Sequence, residues 1–351
     1  MPNIRNSIIR AGFDALYFSG AHHLLRPLLG GVGLILMLHH VRPARDDAFQ
    51  PNRHLEVTPD FLRATLAHVR AQGFEIIGLD EMHRRLAAGD FERRFACFTF
   101  DDGYRDNRDH ALPVMRDYDA PFTVYAAADF ADGSGPLWWL ALEQLVAQAD
   151  TIEAPIGDGI RLDCGTPQAK TDAFAQLHGW LRGLPDDTAV RDAVDRLCRQ
   201  HGIATKARGA DLCLSWDELR AFAAEPLVTI GAHTLSHCNL ARETETGATR
   251  EMADSRTRIA EALQRPVRHF AYPYGDRGAA TTREFALART LGFDTAVTTR
   301  PGVLFADNAN HLTALPRISL NGNYQDRRFL AVLTSGAATA MWNGFRRVDA
   351  A

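Results

Sequence analysis

Short apolar runs alternate with amphipathic segments along much of the chain. The runs that predict buried strands cover residues 33–38, 74–79, 95–100, 121–127, 227–230 and 293–297. Between them, apolar residues at helical spacing predict helices. One helix start is marked by Thr58, which suits an N-cap, and by Pro59, which suits the first helical position. Repeated strand and helix units predict an α/β fold with a mostly parallel sheet under helical cover.

Residues 131–210 interrupt this alternation. Amphipathic patterns predict three helices there, at about 137–149, 168–183 and 186–201. The segment is longer than a connection between two strands requires, so we expect a helical insertion beside the sheet. Trp138 and Trp139 mark its first helix, and we interpret them as core residues because aromatic side chains dominate buried area. The alternative is an exposed surface on which a sugar ring stacks.

The first 30 residues have apolar positions at approximately helical spacing, with Arg5, Arg10 and Arg26 among the polar positions. They predict an amphipathic helix packed on the domain, and the alternative is an interfacial helix lying on the membrane. Charges interrupt the apolar residues, so we expect neither a secretory signal nor a membrane span. The expected location is therefore cytoplasmic, or peripheral at the inner membrane face under the alternative.

Composition limits the remaining function classes. The length of 351 residues fits two domains or one barrel with an insertion, and 46% hydrophobic residues can form a sizeable core. A net charge of −4 gives no electrostatic argument for binding nucleic acid. The five cysteines are scattered without a CxxC pair, which favours neither a zinc knuckle nor a disulfide framework. A reducing compartment fits this pattern best.

Two adjacent carboxylates, Asp101 and Asp102, follow the apolar run at 95–100, and Gly103 comes next. Neighbouring acids at the end of a buried strand repel each other and lose hydration. Both effects are tolerable if a cation lies between the acids or if one acid is protonated. The alternative is an ordinary Asp-Gly turn after a strand.

A second polar group follows the predicted strand at 227–230. His233 and His237 are four residues apart, so they could meet on one side of a helical turn and offer two imidazoles to one metal. One carboxylate and two imidazoles form a three-ligand set with an open position for water. Thr234 and Ser236 could hold this loop through local hydrogen bonds, or could be plain turn residues.

Three motifs together carry a family resemblance: TFDDG at 99–103, HTLSH at 233–237 and YPYG at 272–275. In this order the chain resembles a polysaccharide deacetylase of the NodB-homology type, in carbohydrate esterase family 4, over roughly residues 34–130 and 211–322. The resemblance implies an incomplete or distorted (β/α) barrel. We therefore expect an N-terminal helix at 1–30, a deacetylase domain at 31–325 with the helical insertion, and a C-terminal tail at 326–351.

The resemblance also implies roles for individual residues. Asp102, His233 and His237 would bind the metal, which is Zn²⁺ or another divalent ion such as Co²⁺ or Ni²⁺. Asp101 would be the general base. The backbone N–H of Tyr274 would donate a hydrogen bond to the oxyanion that develops during hydrolysis.

Two departures from the family pattern shape the remaining assignments. In the resembling subfamily a YHHV-like motif supplies an active-site histidine, and here Leu38 takes the place of its tyrosine. His39 is the candidate general acid, with His40 as the alternative. Many members also have an arginine in the third motif that pairs with the base, where this chain has Ala271. Our hypothesis is that Arg317 reaches Asp101 from the last strand instead.

The expected function is removal of an N-acetyl group, with release of acetate, from an N-acetylhexosamine-containing glycan or glycolipid precursor. One alternative is a related C–N hydrolase acting on a formyl group or a non-sugar amide. Another is a non-catalytic carbohydrate-binding protein. Two histidines with one carboxylate also resemble the ligand set of non-haem iron oxygenases. The expected partner is the N-acetylated glycan, and the sequence predicts no oligomeric state.

Overall fold

The computed structural model describes residues 4–204 and 209–347. Its strands are β1 (Gly33–Leu38), β2 (His40–Val41), β3 (Glu56–Val57), β4 (Glu75–Ile76), β5 (Phe95–Phe100), β6 (Phe122–Ala126), β7 (Thr151–Ala154), β8 (Ile160–Asp163), β9 (Val228–Ala232), β10 (His269–Ala271), β11 (Thr295–Pro301) and β12 (Leu315–Ser319). Its α-helices are α1 (Ile4–Phe18), α2 (Ala21–Leu29), α3 (Pro59–Ala71), α4 (Leu79–Ala88), α5 (Leu112–Asp117), α6 (Ala128–Ala131), α7 (Trp138–Gln148), α8 (Pro167–Arg182), α9 (Asp187–Gln200), α10 (Gly209–Leu212), α11 (Trp216–Ala223), α12 (Glu245–Leu263), α13 (Thr282–Thr290), α14 (Arg327–Thr334) and α15 (Ala337–Trp342).

Seven parallel strands close into a barrel, in the order β1, β12, β11, β10, β9, β6 and β5, with β5 pairing back to β1. The short strand β4 pairs only with the beginning of β5. A ring of seven strands under helices is an incomplete (β/α) barrel, so the predicted fold class is confirmed. The predicted strand at 74–79 is wrong in length, because α4 already begins at Leu79.

Strand register brings distant parts of the chain to one end of the barrel. Every residue of β1 and β5 is buried, as expected for parallel strands covered on both faces. Leu38 pairs with Phe100, so His39 and Asp101 leave the barrel side by side. The N–H of Asp101 also donates to the carbonyl of Leu38 at 2.9 Å. Adjacent residues in space therefore come from segments more than 60 residues apart.

The insertion at 131–210 contains the three predicted helices as α7, α8 and α9. It also contains an antiparallel hairpin of β7 and β8 that the sequence analysis did not predict. Buried residues of these elements form an apolar cluster of their own, which also includes Phe49 and Tyr104 from the barrel loops. The insertion is therefore packed against the end of the barrel where β1 and β5 finish.

The N-terminal segment forms two helices rather than the single predicted one. They are separated at Gly20, whose φ of 71° lies in the left-handed region that favours glycine. The C-terminal segment also forms two helices, and α1, α2, α14 and α15 pack together. Among the described residues, no helix has the length and apolar character needed to cross a membrane. The division of the chain near residues 30 and 325 stays our proposal.

Candidate metal centre and active site

A cavity of about 340 Å³ lies at the carboxyl ends of the barrel strands. Loops after β1, β5, β9 and β10 reach it, which is where sites form in (β/α) barrels. The insertion closes one side with Trp138 and Trp139, which are both buried. The cavity wall includes six of the predicted site residues: His39, Asp101, Asp102, His233, His237 and Tyr274.

Asp102, His233 and His237 come together as a buried group whose ligand atoms lie within 4.8 Å of one another. Oδ1 of Asp102 is 3.5 Å from Nε2 of His233 and 3.3 Å from Nε2 of His237. Ligands about 2.0–2.1 Å from a tetrahedral zinc ion lie about 3.3 Å from one another. The spacing of the donor atoms therefore fits one divalent ion of this size.

The tautomer of His233 supplies a second test of the fit. Its Nδ1 lies 2.7 Å from the carbonyl oxygen of Ala271, and a carbonyl only accepts, so this nitrogen carries a proton. If the ring is neutral, Nε2 then carries no proton, and its lone pair faces the carboxylate of Asp102. Oδ1 of Asp102 is buried, and it accepts no hydrogen bond from residues 4–204 or 209–347, the part of the chain that the structure describes. Either a proton on Nε2 or a metal ion between the two atoms would remove this repulsion, so the site can hold a cation.

The pKa of Asp102 agrees with this geometry. Burial alone would raise the pKa of the carboxyl, but the two imidazoles beside it hold that pKa well below its usual range. The carboxylate is therefore ionised at neutral pH, as a metal ligand must be.

The predicted helical turn at the histidines is wrong. Residues between His233 and His237 form a loop, in which Thr234 and His237 have φ values of 64° and 58°. The hydroxyl of Thr234 accepts the N–H of His237 at 2.8 Å. The two imidazoles therefore come together through a loop with positive φ values and not through helical spacing.

Glu251 on α12 anchors this loop, and the sequence analysis missed it. One of its carboxylate oxygens accepts the N–H groups of Leu235 and Ser236, each at 3.0 Å, and the other accepts the Ser236 hydroxyl at 3.0 Å. Ser236 thus takes part in holding the loop. Residues that fix the orientation of metal-binding imidazoles influence metal affinity.

Arg317 reaches Asp101 from β12. Its Nη1 and Nη2 donate to Oδ1 and Oδ2 of Asp101, each at 2.7 Å, and Arg317 is fully buried. The guanidinium is fixed further by the carbonyl of Thr298 at 2.8 Å and the hydroxyl of Thr99 at 3.2 Å. Burial would raise the pKa of Asp101, but the charge and hydrogen bonds of Arg317 lower it below its ordinary value. Asp101 is therefore ionised although it is buried.

The two candidate acids have different surroundings. His39 lines the cavity with Nε2 3.9 Å from Oδ2 of Asp101, whereas His40 stacks on Tyr104 and bonds through Nδ1 to Asp106 at 2.6 Å. Burial lowers the pKa of His39 to about 4, although Asp101 partly opposes this effect. At neutral pH the imidazole of His39 is therefore neutral. The geometry favours His39 over His40 for direct chemistry.

Tyr274 lies opposite these groups, next to the ring of His237. Its hydroxyl accepts a hydrogen bond from Nε1 of Trp138 at 2.9 Å and donates to Asp187 at 3.2 Å. Its backbone N–H donates to no acceptor within the described part of the chain. At the next residue, Gly275, φ is 58° and a Cβ would lie 2.6 Å from the backbone nitrogen of Thr299. Glycine is therefore required for this turn.

Backbone strain is concentrated around the cavity. Asp102, Thr234, His237 and Tyr274 all have φ between 58° and 73°, a region that residues with side chains rarely adopt. Each such residue costs about 1–3 kcal/mol. Strain of this kind persists where the surrounding structure enforces it, which often occurs at functional sites.

Comparison with protein families gives a match over more than half of the chain. The model described as polysaccharide deacetylase matches residues 88–163 and 182–296. A comparison with curated proteins finds no match.

Several solved structures share the fold. PplD, a deacetylase from Streptococcus pyogenes determined in complex with acetate, is 18% identical; the match covers 83% of this chain and 92% of PplD, with a TM-score of 0.54. A polysaccharide deacetylase from Bacillus cereus is 15% identical over 86% of this chain and 68% of its own, with a TM-score of 0.53. IcaB from Ammonifex degensii is 18% identical over 87% and 97%, with a TM-score of 0.50. At these identities the likeness establishes the fold alone.

Proposed function

The chain belongs to the polysaccharide deacetylase family and is a hydrolase that removes N-acetyl groups from carbohydrate; we propose that its substrate is an N-acetylhexosamine unit of a glycan or glycolipid precursor and that the reaction requires a divalent metal. The observation that carries this proposal is the buried group of Asp102, His233 and His237 beside an ionised Asp101. Acetate and a free amine are the expected products.

We propose that Asp102, His233 and His237 hold Zn²⁺, or Co²⁺ or Ni²⁺ in the same ligand set. A bound ion of this kind polarises the acetyl carbonyl and lowers the pKa of a coordinated water, to about 7 in favourable sites. The Ala271 carbonyl keeps His233 in the tautomer whose Nε2 is free for the ion. Glu251 keeps the backbone between the two histidines in place.

Asp101 would accept the proton of the attacking water. The two hydrogen bonds from Arg317 keep its carboxylate ionised and fix its orientation, and each oxygen retains a lone pair for the water. General-base assistance of this kind contributes about 10²–10⁴-fold to the rate. Arg317 acts through Asp101 and is a positioning residue in this proposal.

His39 would deliver a proton to the departing amine. Its neutral imidazole can receive a proton, and its Nε2 lies close to the carboxylate that takes the proton from water. The free N–H of Tyr274 would donate to the oxyanion, a contribution of about 3 kcal/mol for one such donor. Protonation of the amine and stabilisation of the oxyanion thus come from different loops.

Acetate release from a panel of N-acetylated oligosaccharides tests this proposal. Wild type should release acetate, lose activity with a chelator and regain it with Zn²⁺, whereas Asp101→Asn should be nearly inactive. Formylated sugars and small cyclic amides belong in the same panel. Release of formate without acetate would assign the site to the related C–N hydrolases. Sugar binding without any hydrolysis would indicate a non-catalytic protein.

A further inference from the structure

The large apolar side chains that the described chain exposes are concentrated on the terminal helices. They are Ile8 and Phe18 on α1, Leu24 and Leu28 on α2, Met341 and Trp342 on α15, and Phe345 just after it. On α1 and α2 these residues follow helical spacing, so each helix has an exposed apolar stripe. We call the outer surface of α1, α2 and residues 337–347 the terminal face. Leu24 and Leu28 are 78% and 75% exposed.

The terminal segments also carry a charge opposite to that of the whole chain. Residues 4–29 and 337–347, which form the terminal face, contain five arginines and a single acid, Asp14, a net charge of +4. The complete chain has a net charge of −4. Exposed apolar stripes flanked by arginines are typical of helices that lie on an anionic membrane surface. A partner with acidic headgroups and an apolar interior would match both properties.

A groove lies between the terminal face and the catalytic cavity. It has a volume of about 710 Å³, and Trp342 and Arg346 of the terminal face form one wall. Asp276 and Thr299 line both the groove and the catalytic cavity. The side chain of Asn343 fixes the end of the terminal face to β11 by donating to the carbonyl of Pro301 at 2.8 Å.

The groove is suited to an anionic group. Arg277, Arg300 and Arg346 line it, and its acidic residue, Asp276, already pairs with Arg182 at 3.3 Å. Arg300 donates to the carbonyl of Ala280 through Nη2, while its buried Nε bonds to no group in the described part of the chain. Guanidinium groups at such a position recognise phosphate.

We propose that the terminal face rests on an anionic lipid bilayer, and that the groove binds the phosphate of an N-acetylated sugar carried on a lipid. The apolar stripes would insert between headgroups, the groove would hold the phosphate linkage, and the sugar would extend into the catalytic cavity. This inference rests on the proposed deacetylation and narrows its substrate to an acetamido sugar on a lipid phosphate.

Vesicle binding tests the terminal face. Wild type should co-sediment with vesicles of phosphatidylcholine and phosphatidylglycerol, bind less to phosphatidylcholine alone, and release as salt rises. The double variant Leu24→Gln/Leu28→Gln should bind about tenfold more weakly or worse, with an unchanged Tm because both side chains are exposed. The matched control Arg63→Gln/Arg84→Gln changes exposed residues of α3 and α4 and should bind as wild type does.

Two results would overturn the membrane assignment. One is equal binding of wild type and the leucine variant to both kinds of vesicle. The other is a concentration-dependent dimer that the leucine substitutions abolish, because the terminal face would then bind a second copy of the chain. Sedimentation velocity distinguishes a dimer from a membrane-binding monomer.

Kinetics test the groove. The probes are N-acetylglucosaminyl diphosphate on a long alkyl chain and an uncharged chitooligosaccharide. Arg277→Gln/Arg346→Gln should lower kcat/KM for the diphosphate, through KM, about tenfold more than for the chitooligosaccharide, and Arg63→Gln/Arg84→Gln should change neither. Equal effects on both substrates, or none, would overturn the phosphate assignment.

The two proposals fail separately. If wild type hydrolyses the chitooligosaccharide without preferring the lipid diphosphate, deacetylation stands and the lipid assignment falls. If wild type releases acetate from neither probe, the proposal that its substrate is an N-acetylhexosamine unit falls, while the vesicle experiment still decides what the terminal face binds.

Discussion

Asp101 and Asp102 are neighbours in the chain, yet they occupy opposite halves of the site. Both carboxylate oxygens of Asp101 accept a hydrogen bond from Arg317 at 2.7 Å, so protein groups alone balance its charge. Asp102 faces two imidazole nitrogens, and its buried Oδ1 accepts no hydrogen bond of good geometry within the described residues. One carboxylate is neutralised by the guanidinium of Arg317, and we propose that the other is neutralised by a bound metal ion.

The difference follows from the backbone. Asp101 directly follows the buried strand β5, and its N–H donates to the carbonyl of Leu38, whereas Asp102 adopts a φ of 73° that redirects its side chain. Two adjacent acids can thus have different roles, because the left-handed backbone at Asp102 places its side chain in surroundings different from those of Asp101. The comparison teaches that charge compensation, and not residue type, distinguishes the proposed base from the proposed ligand.

The largest effect is expected from Asp102→Asn, which removes the anionic member of the ligand group. Zinc content should fall to background, and kcat should fall by more than about 10⁴-fold, beyond what general-base catalysis alone supplies. Metal analysis after gel filtration and acetate release provide the two measurements. Near-normal zinc content in this variant would break the comparison, because Asp102 would then not be the ligand.

Asp101→Asn is expected to have a smaller effect and a different signature. The variant should keep its zinc while kcat falls about 10²–10⁴-fold, since the amide cannot take a proton from water. Asp117→Asn, at an exposed carboxylate paired with Arg63, is the matched control and should retain full activity. Zinc loss in Asp101→Asn would instead place both aspartates in one ligand set.

Arg317→Met should destabilise the fold by about 3–5 kcal/mol, because it leaves the buried Asp101 charge without its partner. Urea unfolding in the presence of a chelator measures the change. Adding Asp101→Asn to Arg317→Met should restore much of the stability, because no unpaired charge then remains. Failure of the second substitution to restore stability would show that Arg317 matters for packing and not for charge.

The same pair predicts a pH dependence. The folded chain lowers the pKa of Asp101 below its unfolded value of about 3.9. The pair therefore contributes its full stability above the unfolded pKa, and that contribution is lost as pH falls through the lowered pKa. The stability difference between wild type and Arg317→Met should be larger at neutral pH than near pH ~3. A difference independent of pH would contradict an ionised Asp101.

The smallest effect is expected from Glu251→Gln, which weakens the hydrogen bonds that hold the histidine loop. Zinc affinity should fall by about 10–100-fold, with kcat at saturating zinc little changed. Glu261→Gln, an exposed position on the same helix, should bind zinc as wild type does. If both variants bind zinc equally, the loop does not depend on Glu251.

Much of the barrel was predictable because its signals are local. Thr58 accepts the N–H of Phe61 at 3.2 Å, as expected of an N-cap, and β5 has the boundaries that its apolar run predicted. The hairpin of β7 and β8 was missed because its strands have four residues each, too few for their alternation to stand out. The break at Gly20 was missed because apolar spacing continues across it.

The candidate site was predictable where a motif carried it and not where the tertiary structure did. The three motifs indicated Asp101, Asp102, His233, His237 and Tyr274, which the fold brings together. The loop geometry at the histidines was not predictable, because Thr234 and His237 are not glycines and nothing in their residue type indicates a positive φ. Glu251 was missed because it is one of several acids on a charged helix, and only packing of that helix brings it to the loop.

Anomalous diffraction at the zinc edge, from crystals of the zinc-loaded protein, tests the distinction between the two aspartates most directly. The predicted result is one ion about 2.0–2.2 Å from an oxygen of Asp102 and from Nε2 of His233 and His237, with Asp101 still bonded to Arg317 and outside the ligand set. An ion ligated by Asp101, or bound away from the two histidines, would contradict the account.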